Sequence, residues 1–311
     1  MRFNPKGRID TGRIRHSGRA TGPGGVRGGR GGGRLPIPTG RGGLGVGGLI
    51  LVVLFVVVSG LLDDQIPGLG GDTGGDDAGP DRYAECRTGE DANESADCAR
   101  AAVENSLVAY WGDTLPEQAG RQLRPASVQT FSGQVSTGCG AASSQVGPFY
   151  CPADETVYLD ATFFPEVLEK QLGGQGGDFV EPYVLGHEYG HHIQNLLGYM
   201  SRVRTQKGPE SDAVRLELQA DCLAGMWTRA AESTQDTEGV AIFESVDQDD
   251  INEALDGARS VGDDRIQQRS GGRADPDGWT HGSSEQRMRW FMVGYDQGSL
   301  QACDTFEAGR L

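Results

Sequence analysis

The segment LGVGGLILVVLFVVVSGLL, Leu44 to Leu62, runs for 19 residues without a charged side chain. As a helix it reaches roughly 28 Å at about 1.5 Å per residue, close to the hydrocarbon thickness of a bilayer. No polar stripe interrupts it, which speaks against a helix half-buried in a soluble core. A cleaved signal peptide fits less well. The apolar run is long, a very long segment precedes it, and Asp63-Asp64 follows where a small-x-small cleavage site would stand. The sequence therefore predicts an uncleaved, single-pass anchor in the cell membrane, with the lipid bilayer as partner of residues 44–62.

Charge divides at the same place. Residues 1–43 hold ten of the 28 basic residues and one acid, Asp10; the rest of the chain holds 18 bases and 43 acids. An Arg/Lys excess before the span predicts a cytoplasmic N-terminus and an extracytoplasmic remainder. Residues 1–43 are rich in Gly and Arg with few large apolar side chains, so they are expected to be disordered. Residues 63–80, rich in Gly, Asp and Pro, read as a flexible linker. The folded, extracytoplasmic domain is expected over residues 81–311. Its acidity excludes a dedicated nucleic-acid binder, which would carry a basic footprint on its folded part.

All six cysteines, Cys86, Cys98, Cys139, Cys151, Cys222 and Cys303, follow the apolar run. An even number in an oxidising compartment predicts disulfides. Sequence alone allows 15 pairings. Local proximity favours Cys86–Cys98 and Cys139–Cys151, leaving Cys222–Cys303. Zinc-binding thiolates are the weaker reading, since no C-x-x-C pair occurs.

Within the domain, apolar spacing predicts helices over 96–111, 163–172, 182–197, 211–232, 249–261 and 284–296. Pro182 suits a first turn and Gly198 a C-terminal stop. Residues 128–136 and 156–160 have strand composition. The sum is a helix-rich α+β domain with a small, mostly antiparallel sheet.

One of those helices contains His187-Glu188-Tyr189-Gly190-His191. Positions i and i+4 lie about 40° apart around a helix, so both imidazoles can face one ion. Glu188 sits about 100° round from His187, placed to reach a water on that ion without ligating it. A catalytic zinc needs a third protein ligand and an open position. Glu217 can supply the ligand, and Asp221, one turn on, can accept a hydrogen bond from the outer nitrogen of a ligating histidine. Both acids stand in a largely apolar stretch, which an exposed acidic face does not explain. His192 points away from His191 and receives no role. Arg287 and Arg289 read as structural salt-bridge partners.

HExxH followed by a downstream Glu-x-x-x-Asp helix resembles the gluzincin arrangement of thermolysin-like metallopeptidases. More closely, the chain resembles the bacterial predicted neutral zinc metallopeptidase family, with its basic N-terminus, single span and extracytoplasmic domain. The matching stretches are CGAASSQVGPFYCPADETVYLDATFF (139–164), YVLGHEYGHHIQNLLG (183–198), ELQADCLAGMW (217–227), GDDRIQ (262–267) and THGSSEQRMRWFMVGY (280–295).

The resemblance implies a zincin-like domain with one zinc held by His187, His191 and Glu217, Glu188 as general base, and Asp221 behind a ligating histidine. It also implies an electrophile for the substrate carbonyl, for which His281 is the candidate; Tyr189 and Tyr199 are weaker ones. By the same analogy, the strand at 156–160 would be the edge that pairs with an extended peptide. The expected function is hydrolysis of extracytoplasmic peptides or proteins. The alternatives are a non-catalytic zinc-binding assembly module on the same fold, and a zinc hydrolase of a non-peptide bond.

Overall fold

Several helices begin where a side chain can cap them. The computed structural model describes residues 1–17, 82–144 and 146–311. Seven α-helices lie among them: α1 (Gly89–Glu94), α2 (Ala96–Ala119), α3 (Val180–Leu197), α4 (Asp212–Ala230), α5 (Gln248–Ser260), α6 (Asp263–Arg269) and α7 (Ser284–Gln297). Ser211, Asp247 and Ser283 cap α4, α5 and α7 by accepting backbone N–H groups of the first turn. Gly198 ends α3 in a left-handed conformation, φ 84°. Helix α2 continues past the expected end at Trp111, carrying Pro116 in its last turns. Of residues 163–172, expected as a short helix, Phe164–Glu169 form a π-helical segment.

The strands are β1 (Arg2–Phe3), β2 (Ile14–Ser17), β3 (Ser127–Phe131), β4 (Gln134–Thr137), β5 (Gly140–Ser143), β6 (Phe149–Cys151), β7 (Thr156–Asp160) and β8 (Phe243–Ser245). The main sheet has the order β2-β3-β7-β6. Its β2/β3 and β3/β7 pairings are parallel, and only β6/β7 is antiparallel. The expected mostly antiparallel sheet is thus corrected. The reason is a break at Ser132-Gly133, where the single strand expected over 128–136 divides. Strand β4 leaves the sheet and pairs with β5 in a separate hairpin, and the chain returns to lay β7 parallel to β3.

Helix α4 lies at the centre of the core, with fifteen buried residues. Its approach to α7 is set by two glycines. A Cβ on Gly225 would overlap the Phe291 carbonyl, and one on Gly294 would overlap that of Cys222. The two backbones therefore touch, and α7 brings its side chains to the same end of α4 as α3 does. Disulfides join Cys86–Cys98 and Cys139–Cys151, the two pairs that proximity favours, and Cys222–Cys303, the pair those two leave.

The disorder expected over residues 1–43 does not hold for residues 1–17. Strand β1 pairs with β8, and β2 adds to the main sheet beside β3. Phe3 is buried and stacks on Phe243 at 4.8 Å between ring centroids. An average over 43 residues hides these anchors, because the apolar positions Phe3, Ile9 and Ile14 all fall in the first third. The folded unit thus includes residues 1–17 as well as those after 81. The expected span at 44–62 and linker at 63–80 lie outside the described residues. Among the described residues, no helix is long and apolar enough to cross a membrane.

Candidate metal centre and active site

Helix α3 presents His187, Glu188 and His191, and α4 presents Glu217 and Asp221. Nε2 of His187 lies 3.3 Å from Oε2 of Glu217, and Nε2 of His191 lies 3.5 Å from its Oε1. Ligand atoms of all three residues lie within 4.8 Å of one another. Zn–N and Zn–O bonds of about 2.0–2.2 Å in a tetrahedron put neighbouring donors about 3.4 Å apart. Each imidazole faces one oxygen of the same carboxylate at about that spacing, and two imidazoles with one carboxylate are a donor set suited to zinc. The residues therefore fit the ion the sequence predicts.

The outer nitrogens are engaged as well. Nδ1 of His187 donates to Oδ1 of Asp221 at 2.8 Å, and Nδ1 of His191 donates to Oε1 of Gln194 at 2.7 Å. With Nδ1 committed to these acceptors, Nε2 is the nitrogen each ring can offer to an ion at the shared point once any proton on it is released. Gln194 is itself held, donating from Nε2 to the Leu216 carbonyl and to Oε1 of Gln219. Asp221 also accepts from the Tyr183 hydroxyl at 2.6 Å and from Arg287, Nε to Oδ2 at 2.8 Å.

These contacts govern the charges. Burial would raise the Asp221 carboxyl, but the Arg287 guanidinium and His187 outweigh it and hold it at about 2. Burial opposes charge on His187, yet Asp221 and Glu217 lift the metal-free imidazole to about 9. Glu217 is held well below the usual carboxylate range despite burial, by His191 and His187. Glu188 moves the other way: burial raises its carboxyl.

Glu188 and His281 line the same cavity as the three donors. Its walls are largely apolar, with Val146, Phe163, Val167, Leu172, Val184 and Ile266 among them. His281 lies in the turn before α7, and that turn is organised by one carboxylate. Oδ2 of Asp263 accepts the backbone N–H groups of Thr280, His281 and Gly282 at 2.7, 2.7 and 3.0 Å. Oδ1 lies 3.4 Å from Nδ1 of His281. Burial opposes charge on His281, but Asp263 and Glu217 raise its pKa above the ordinary value.

Other expectations resolve differently. His192 is structural: Nδ1 meets the Tyr150 hydroxyl at 3.0 Å and Nε2 donates to the Arg124 carbonyl. Tyr189 is wholly buried in the core, and Tyr199 donates to Asp304; neither lines the cavity. Strand β7, expected as the sheet edge, is paired on both sides, by β3 and β6. Strand β6 is the edge, and the segment that leads into it, Val146 to Pro148, lines the cavity. Arg289 bonds the Leu311 carbonyl, whereas the salt bridge expected of Arg287 is to Asp221 itself.

Tyr183, Gln194 and Asp263 were not singled out from the sequence. Tyr183 precedes His187 by one helical turn and Gln194 follows His191 by three residues, so helical periodicity places each beside its histidine. Asp263 lies 18 residues before His281, in the GDDRIQ stretch, and no local rule connects the two.

An uncharacterized protein of Mycobacterium tuberculosis is 50% identical over 230 residues, covering 73% of this chain and 76% of its own length. An uncharacterized protein of Mycobacterium bovis matches to the same extent. The uncharacterized protein YpfJ of Escherichia coli K12 is 43% identical over 202 residues, covering 63% of this chain and 66% of its own length. No solved structure matches. Residues 6–306, which include every donor described above, match the family described as "Putative neutral zinc metallopeptidase", and the chain belongs to that family.

Proposed function

We propose that this chain is a zinc-dependent peptidase whose ligands are His187, His191 and Glu217. The observation that carries the reading is the convergence of both Nε2 atoms on the two oxygens of one buried carboxylate, with Glu188 and His281 lining the same cavity. A zinc ion held there supplies Lewis acidity to the attacking water and to the carbonyl being cleaved.

The remaining roles belong to side chains. Glu188, raised by burial, takes the proton of the attacking water and returns it to the leaving amine. His281, with Nδ1 turned to Asp263 and Thr280, offers its other nitrogen to the oxygen that gains negative charge. Asp221 and Gln194 hold the ligand imidazoles in the tautomer that leaves Nε2 free. An extended peptide laid along Val146 to Pro148, beside the edge strand β6, would bring a backbone carbonyl to these groups.

The test is hydrolysis of a mixed peptide library, followed by mass spectrometry, with the protein as purified, after chelation, and after zinc is restored. The proposal expects cleavage that disappears with the metal and returns with it. One equivalent of zinc with no cleavage of any peptide would favour the non-catalytic module. Cleavage that persists after complete metal removal would exclude a zinc mechanism.

A further inference from the structure

Residues 1–17 are fastened to the domain through matched pairs of groups. Nε of Arg13 meets Oε1 of Glu104 at 2.7 Å, and Glu104, on α2, is fully buried. Asn93 accepts the Phe3 N–H and donates to the Phe3 carbonyl, both at 2.9 Å. Asn105 does the same for Asp10, at 2.7 and 2.8 Å. Each asparagine thus pairs with a backbone residue as a neighbouring strand would. Gly89 completes the fit, because a Cβ there would collide with the Asn4 carbonyl. Strand β2 then runs parallel to β3 from Ile14 opposite Val128 to Ser17 opposite Phe131.

Hydrogen-bonded strands lie about 4.8 Å apart, whereas the apolar interior of a bilayer is about 30 Å thick. Two neighbours in one sheet cannot lie on opposite faces of a membrane. The charge pattern, however, predicts residues 1–43 on one side of a single span and residues 81–311 on the other. Exchange of N-terminal segments between copies does not remove the conflict, since copies inserted alike have the same orientation. Buried Glu104 weighs on the side of the sheet: with Arg13 across a membrane, that carboxylate would lose its salt-bridge partner.

We propose that residues 1–17 are an integral part of the metal-binding domain and lie on the same side of any bilayer as residues 82–311. On that reading the two parts are not divided between the two faces of a membrane. Residues 1–17 then serve as the sheet's outer strand and as the cation for Glu104.

The test uses the full chain carrying one added cysteine, Lys6→Cys or Lys207→Cys, both at exposed positions. The six native cysteines are all in disulfides, so the added thiol is the only free one. Spheroplasts expressing each variant are treated with a membrane-impermeant maleimide before and after detergent. The proposal expects the two positions to behave alike, reacting together before detergent or together only after it. Reaction of one before detergent and of the other only after it would overturn the proposal. A charge exchange reads the docking itself. Arg13→Glu and Glu104→Arg should each lower the Tm of the full chain by several degrees, with much of the loss recovered in the double variant. An unchanged Tm in Arg13→Glu would show that the segment is not docked.

Discussion

Arg287 holds Asp221 by both carboxylate oxygens, Nε to Oδ2 at 2.8 Å and Nη2 to Oδ1 at 2.9 Å, and both residues are buried. The guanidinium keeps Asp221 ionised and fixes the plane of its carboxylate. Oδ1 then accepts from Tyr183 and from Nδ1 of His187, so one ion pair sets the tautomer and the angle of a metal ligand. The arrangement joins three helices at a point: α3 through Tyr183 and His187, α4 through Asp221, and α7 through Arg287.

Asp221→Asn should therefore have two separable effects. Zinc affinity, measured by competition with a chelator, should weaken by about 10–100-fold, because the outer partner of His187 loses its charge. Stability should fall by about 3–5 kcal/mol, since Arg287 is left buried without its carboxylate. Denaturant unfolding checks the second effect. Unchanged zinc affinity in a folded variant would mean that Asp221 does not tune His187.

Protons should compete with zinc for His187. With the metal-free imidazole at about 9, His187 carries its proton at pH 7 and must release it to bind an ion. Zinc added to the metal-free protein in weak buffer should thus liberate about one proton from this group, and apparent affinity should rise about tenfold per pH unit up to about pH 9. Without metal, the sign for stability is opposite. The raised pKa contributes stability in full below the ordinary value of 6.5, lost as pH rises through about 9. A pH indicator and thermal melts of the metal-free protein check the two halves. Absence of proton release at pH 7 would contradict the charge assignment.

His281→Ala should retain zinc and lower kcat by about 10²–10³-fold with little change in KM, as expected when a group acts on charge that develops during reaction. Asp263→Asn should move in the same direction, because the turn that carries His281 loses the carboxylate that gathers its three N–H groups. An effect confined to KM would make His281 a binding residue instead.

The parts legible in the sequence are those written at short range. The pairs His187/His191 and Glu217/Asp221, each four residues apart, and the helices that bear them follow from a 3.6-residue period and from local capping chemistry, whereas the meeting of the two pairs spans some 30 residues of chain. The disulfides of Cys86 with Cys98 and Cys139 with Cys151 are close in the chain. Sheet order was not legible, because β3 and β7 are joined through the β4–β5 hairpin and β6, and composition does not say which strand remains at an edge. The N-terminal strands are two and four residues long, and their partners lie some 90 or more residues away at Asn93, Glu104, Val128 and Phe243. Arg13 reads as one more charge in a basic head until Glu104 is known to be buried beside it. Asp263 is likewise silent until the fold brings it under the turn at His281.

The central claim is tested most directly by Glu188→Gln, a change that removes the base and leaves all three zinc donors in place. Zinc content and peptide cleavage are measured on the same preparation. The account predicts one zinc per chain, as in the wild type, and a kcat lowered by about 10²–10⁴-fold. A zinc-loaded Glu188→Gln protein that cleaves peptides at the wild-type rate would contradict it.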